Sequence, residues 1–181
     1  AVGSSVKNVA KLGFVFETLD PFLFCVHHKD NFPAPIEDGR IDPKLLKGRN
    51  IGSDFGNKDF NMYHAQNGIP GFPVHPHFGF ETITIVVRGT VDHHDSLGAC
   101  ARFGKDHGSD TQWVTTGSGV SHSEMFPLLN SEKKPDGESA NFMELFQIWI
   151  NLPAKSKQAK AYFTMLWTEK NPVLTYPGAK V

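Results

Sequence analysis

Almost nowhere along this chain do apolar residues recur at the three-to-four spacing of an amphipathic helix, and that scarcity restricts the fold more than any other feature. Short β-branched or aromatic runs stand instead between clusters of glycine and proline, of which the 181 residues hold 17 and 12. The clearest strand is Glu81 to Val87 (Glu-Thr-Ile-Thr-Ile-Val-Val), whose branched side chains suit a pleated surface. Arg88-Gly89 turns it into Thr90-Val91-Asp92-His93, and Gln112 to Thr115 is a further strand stopped by Gly117-Ser118-Gly119. Leu12 to Val26 reads as two strands, Phe14–Phe16 and Phe22–Val26, split by Asp20-Pro21. From Phe142 to Leu152 the chain alternates, with Leu145, Gln147, Trp149 and Asn151 on one side and Phe146, Ile148, Ile150 and Leu152 on the other. Apolar residues on both sides predict a strand covered on both faces. A last strand is expected over Tyr162 to Trp167, after a polar connector from Lys155 to Lys160. Asn31 to Gly71, rich in Gly, Pro, Asp and Asn, reads as loop, and Lys133 to Glu138 as an exposed loop. Many short strands without a repeated helix predict an all-β barrel or sandwich.

A chain of this length fits one domain with a real core. The net charge of −1 includes no basic block, so direct binding of nucleic acid through a phosphate-tracking patch is not expected. No apolar run reaches membrane-spanning length, and no signal-peptide or lipidation pattern stands at the N-terminus, so no membrane association is expected. Cys25 and Cys100 lie far apart and outside any Cys-x-x-Cys pair. They read as small buried apolar residues, and their reduced state points to a cytoplasmic location, or the nucleus in a eukaryote.

Two short pairs carry the chemistry: His75-Pro76-His77 and, about 45 residues later, His122-Ser123-Glu124. In an extended strand residues i and i+2 point the same way, so each pair aims two ligand-type side chains at one point. On neighbouring strands the two pairs would make a site of three histidines and one carboxylate, a donor set for a divalent transition metal. Pro76 has no amide donor and places this stretch at a strand start or sheet edge. Nine histidines make a single His-x-His weak evidence; the second pair, after a glycine-rich turn, strengthens it. Glu81 is the rival carboxylate, since it shares the parity of His75 and His77 if the strand runs straight through Gly79.

The run His75-Pro-His-Phe-Gly-Phe-Glu81, closed by Gly89, resembles the first motif of the cupin superfamily. Gly117-Ser-Gly-Val-Ser-His122 resembles the second. Within the cupins, several runs resemble the pirin family in its own order: Asp20-Pro-Phe-Leu-Phe, His93-His-Asp-Ser-Leu-Gly98, Gln112-Trp113, Thr116 to Met125 and Phe146-Gln-Ile-Trp-Ile-Asn-Leu-Pro153. The resemblance covers most of the chain from about Leu12 to Pro153. It implies a jelly-roll β-barrel resembling the N-terminal half of a bicupin, with the cupin domain over residues 1–153. Residues 154–181 would then be a C-terminal extension, the start of a connection to a second cupin.

It also implies one metal held by His75, His77, His122 and Glu124. Iron(II) is expected first, and zinc, manganese, nickel or copper suit the same donors. Glu81 would then be an outer residue, hydrogen-bonded or salt-bridged. The activity implied is that of a quercetin 2,3-dioxygenase, an oxidoreductase acting on a flavonol and O2 with Glu124 as the catalytic proton acceptor. The alternative implied is an iron-dependent, redox-responsive transcription co-regulator with a protein partner. A cupin fold kept for structure alone is a third reading.

Three departures from the pirin pattern stand out. Phe78 occupies a position where pirins commonly have arginine, the Ala99–Ser109 loop differs, and the chain ends near where a second cupin would begin. It then reads either as a fragment or as a one-domain relative that covers the missing interface by forming a homo-oligomer. Adjacent histidines face opposite sides of a strand, so His27, His28, His93 and His94 read as structural or surface residues, and His64 and His107 as solvated loop residues. Trp113, Phe142, Phe146 and Trp149 are expected in the barrel core.

Overall fold

In a computed structural model the described residues are 11, 13–55, 59–63, 68–104, 108–132 and 139–180. Strands dominate: β1 (Val15–Phe16), β2 (Phe22–Phe32), β3 (Gly71–His77), β4 (Phe80–Arg88), β5 (Val91–Asp95), β6 (Cys100–Phe103), β7 (Asp110–Thr115), β8 (Val120–Met125), β9 (Asn141–Asn151), β10 (Tyr162–Leu166), β11 (Thr175–Tyr176) and β12 (Ala179–Lys180). A short α-helix, α1 (Pro43–Leu46), is capped by Asp42, whose side chain accepts from the Lys44 amide. The strands form a six-stranded sheet in the order β1-β2-β9-β4-β7-β10 and a four-stranded sheet in the order β3-β8-β5-β6. All pairings are antiparallel. β11 and β12 form a separate hairpin. This is the expected all-β, two-sheet cupin barrel.

Parity decides what lies between the sheets. On β4 the inward set Thr82, Thr84 and Val86 is fully buried, while in the outward set Glu81 and Ile85 are half-buried and Ile83, between them, is 6% exposed. β9 alternates as expected, with Leu145 buried and Gln147 and Trp149 lining an internal cavity. From Glu144 to Ile150 its outer face is only half-buried, and Phe16 of β1 stacks on Phe146 there. β10 lies past the Pro153 boundary drawn from the sequence, yet pairs with β7 in the six-stranded sheet. Ala161, just before β10, packs with Val114 and Val120.

The segment read as loop between Asn31 and Gly71 does more than connect. Within it Ile41, Met62 and Tyr63 are fully buried, and Phe60 nearly so. They join Phe32, Val86, Phe103, Phe126 and Leu145 in the main core cluster. Apolar side chains spaced by Gly and Pro carry no period, so burial here was invisible to pattern reading. β6 likewise arises inside the loop expected at Ala99–Ser109. Residues 133–138, His64, His107 and Leu12 lie outside the described residues.

Candidate metal centre

β8 carries the second ligand-type pair with strict alternation: Val120, His122 and Glu124 are buried, Ser121 and Ser123 are not. β3 lies on one side of β8, with His75 opposite His122. β5 lies on the other, with Asp95 opposite His122 and His93 opposite Glu124. The ladder thus brings His75, His77 and His122 together, their ligand atoms all within 4.8 Å of one another. His122, His93 and Glu124 form a second such group that shares His122. His122 is 1% exposed.

The donor chemistry suits a cation. His75 Nδ1 is 2.7 Å from the Pro73 carbonyl, which only accepts, so Nδ1 carries the proton and Nε2 presents a bare lone pair. A carbonyl behind a ligating imidazole is the usual way a metal-binding tautomer is fixed. His75 Nε2 and His122 Nε2 are 3.1 Å apart. Two imidazole nitrogens at right angles about a metal, each about 2.1 Å from it, would be about 3.0 Å apart. Burial pushes His77 down to about 4 and His122 down to about 3, with the neighbouring imidazoles adding to the shift, so both rings are neutral and able to ligate near pH 7.

Glu124 is held from the opposite sheet. Its Oε1 accepts from Gln112 Nε2 at 2.6 Å and from Thr84 Oγ1 at 2.9 Å. Thr84 pairs with Gln112 on one side and Gln147 on the other, so one polar row crosses the six-stranded sheet and faces the carboxylate. Thr84 and Gln112 are essentially fully buried. Their sequence signal was a polar residue at an inward parity position, which the strand assignments contained but did not single out.

Glu81, the rival carboxylate, points outward. Gly79 sits at φ +79° between β3 and β4, which belong to different sheets, so parity does not carry across it. Glu81 Oε2 accepts from Trp113 Nε1 at 2.7 Å and from Thr115 Oγ1 at 2.9 Å on the outer face. Trp113, expected in the barrel core from the sequence, therefore lies on the outer face and is 38% exposed. Phe142 is buried, Phe146 stacks outside on His27, and Trp149 lines the cavity 5.3 Å from the His77 ring. His93 and His94 do face opposite sides. His93 is buried, hydrogen-bonded to Asp95 at 3.2 Å and stacked on Phe163; His94 is exposed. Phe78 is 56% exposed at the rim. Cys25 is half-buried and Cys100 exposed, against the expectation of two buried thiols.

His75, His77 and Glu124 line a cavity of about 620 Å³ whose walls also include Phe24, Phe72, Val74, Gln147 and Trp149. That volume lies within the range of small-molecule pockets, about 300–1,000 Å³. A hydrogen-bonded chain lies behind one wall. His28, which lines the cavity, bonds through Nδ1 to Tyr63 Oη at 2.7 Å. Tyr63 bonds to Asp30 Oδ2 at 3.0 Å, and the amide and side chain of Asn61 donate to Asp30 Oδ1. Burial raises Asp30 to about 6 and lowers His28 to about 4.

These opposite shifts make a testable pair. With an ordinary value of 3.8, folded Asp30 gains a proton that the unfolded chain lacks as pH falls through 6, which stabilises the fold in acid. His28, ordinarily 6.5, stays neutral down to about 4 while its unfolded form protonates, which destabilises the fold over nearly the same window. Asp30→Asn removes the first contribution, so its stability should fall more steeply than wild type between pH 6.5 and 4. Urea unfolding of the metal-free proteins across that window checks this; parallel pH profiles would refute it.

Among the described residues no helix is long and apolar enough to cross a membrane. A jelly-roll barrel with a histidine cluster opening into an internal cavity defines a cupin with a candidate metal centre. The family model described as Pirin matches residues 6–150, and the chain belongs to the pirin family. A Pseudomonas aeruginosa protein with a provisional quercetin 2,3-dioxygenase name is 37% identical over 143 residues, 78% of this chain and 42% of that protein. A pirin-like protein of Caulobacter vibrioides is 35% identical over 119 residues, 66% of this chain and 38% of that one. The crystal structure of a quercetin 2,3-dioxygenase from Acinetobacter baumannii superposes with a TM-score of 0.57 at 28% identity, covering 87% of this chain and 41% of that chain. The chain thus spans less than half the length of these relatives.

Proposed function

We propose that this chain is the metal-binding cupin of a flavonol 2,3-dioxygenase, with His75, His77, His122 and Glu124 as ligands and iron(II) as the metal. The observation that carries this reading is the opening of the imidazole cluster into a largely apolar cavity of about 620 Å³. A redox-responsive regulator has no need of such a space; a three-ring aromatic substrate does. The names of the relatives point the same way.

A metal bound there supplies a Lewis acid and a template for oxygen. The chain's own residues do the rest. Gln112 and Thr84 hold Glu124 Oε1, so Oε2 is the oxygen that would ligate the metal and, while bound or after loosening, take the acidic proton of the flavonol hydroxyl. Phe24, Phe72 and Trp149 bind the rings and exclude water. In the overall reaction both atoms of O2 end in the ring-opened ester, and the ring carbon that carried the hydroxyl leaves with that oxygen as carbon monoxide.

After anaerobic loading with iron(II), the protein should consume O2 and release carbon monoxide when given quercetin. Glu124→Gln should lower kcat by about 10²–10⁴-fold, the usual weight of a positioned general base. An iron-loaded protein that turns over no flavonol would remove the dioxygenase reading and favour the co-regulator.

A further inference from the structure

Away from the imidazole cluster, the cavity wall holds a second polar group that the reaction above leaves unused. Asp30 Oδ1 receives two N–H donors from Asn61, so this carboxylate acts as an acceptor, and its Oδ2 takes the single proton of Tyr63. Tyr63 Oη must then accept at its other contact, so His28 Nδ1 carries the hydrogen and donates it. Near pH 7, where Asp30 is ionised, the His28 tautomer is thereby fixed, with the lone pair on Nε2.

That nitrogen has no hydrogen-bond partner among the described residues, and His28 lines the cavity. The imidazole is held edge-on to Phe14, Tyr63 and Phe72. The Phe72 ring lies 5.9 Å from that of His28 and 6.3 Å from that of His75. The two imidazoles are one aromatic side chain apart on the same cavity.

We infer that His28 Nε2 is a fixed hydrogen-bond acceptor that selects aromatic ligands bearing a hydroxyl group remote from their metal-binding end. This rests on reading the cavity as a flavonol site, and narrows it to flavonols hydroxylated on the pendant ring. An acceptor whose position and tautomer are already set loses little entropy on binding. A site built around such an acceptor disfavours an analogue that cannot donate to it.

The test compares quercetin, which carries hydroxyls on its pendant ring, with galangin, which does not. Dissociation constants are measured anaerobically by tryptophan quenching on the full iron-loaded chain. Wild type should prefer quercetin by about tenfold, the weight of one good buried hydrogen bond. His28→Phe should lose the preference and bind the two flavonols with equal affinity, with iron content at the wild-type level reporting an intact centre. Tyr63→Phe leaves His28 in place but removes the partner that sets its tautomer, and should reduce the preference. Wild type binding both flavonols equally, or either variant keeping the full preference, would overturn the inference and leave the flavonol site standing. Wild type binding neither would overturn both.

Discussion

Purified His122→Ala should carry almost no metal, against about one ion per chain in the wild type. The expectation follows from where His122 stands. It alone belongs to both ligand groupings, with His75 and His77 on one side and His93 and Glu124 on the other. On the ladder it lies between His75 and Asp95. Alanine there leaves two half-buried histidines on β3 and one carboxylate already hydrogen-bonded to Gln112 and Thr84. Losing even an outer partner of a metal ligand typically costs about 10–100-fold in affinity, and loss of the shared imidazole should exceed that. His94→Ala is the control, because His94 is the adjacent strand neighbour of His93 but faces out. Metal analysis after iron reconstitution decides: full metal in His122→Ala, or loss in His94→Ala as well, would sink the site.

The sequence made the meeting of His75, His77 and His122 legible because both pairs lie on strands and strand parity is rigid, whereas Glu124 falls in the grouping with His93 and His122. His122 and Glu124 share a face whatever the rest of the barrel does. Parity failed where the backbone turned. Glu81 looked eligible until Gly79 broke the strand, and the two sides of Gly79 ended in different sheets. It also failed wherever a contact depended on two sheets facing one another. Gln112 and Thr84 hold Glu124 from across the barrel, and nothing local to either residue records that. The buried stretch Phe60 to Tyr63 was missed for a related reason. It packs by tertiary contact, without the period that marks a helix or a strand. His28 is buried and hydrogen-bonded to Tyr63, as a structural histidine would be, but parity could not record that it also lines a cavity built by residues from β1, β3 and β9 together.

The geometry of the centre also depends on how closely β3 approaches β8, and Gly71 sets that distance. It lies at φ +130° opposite Met125, and a Cβ built there would meet the Glu124 carbonyl oxygen and Met125 Cα at 2.6 Å. Both are backbone atoms of the strand that carries His122 and Glu124, so no side chain can swing aside to make room. Gly71→Ala therefore combines a disfavoured φ, about 1–3 kcal/mol, with overpacking of about 1–3 kcal/mol. A total near 4 kcal/mol is expected, which for a domain of this size lowers Tm by about 8–16 °C. Gly98→Ala separates the two contributions. Gly98 also has positive φ, +86°, but a Cβ there meets nothing within 4 Å, so it reports backbone strain alone. If β3 and β8 are in the close contact described, Gly71→Ala should be the more damaging by at least 1 kcal/mol. It should also weaken iron binding, because the strands that part are those carrying the ligands. Equal Tm losses in the two variants, with metal content unchanged, would mean that the strands tolerate separation and that the ligand geometry does not depend on this glycine.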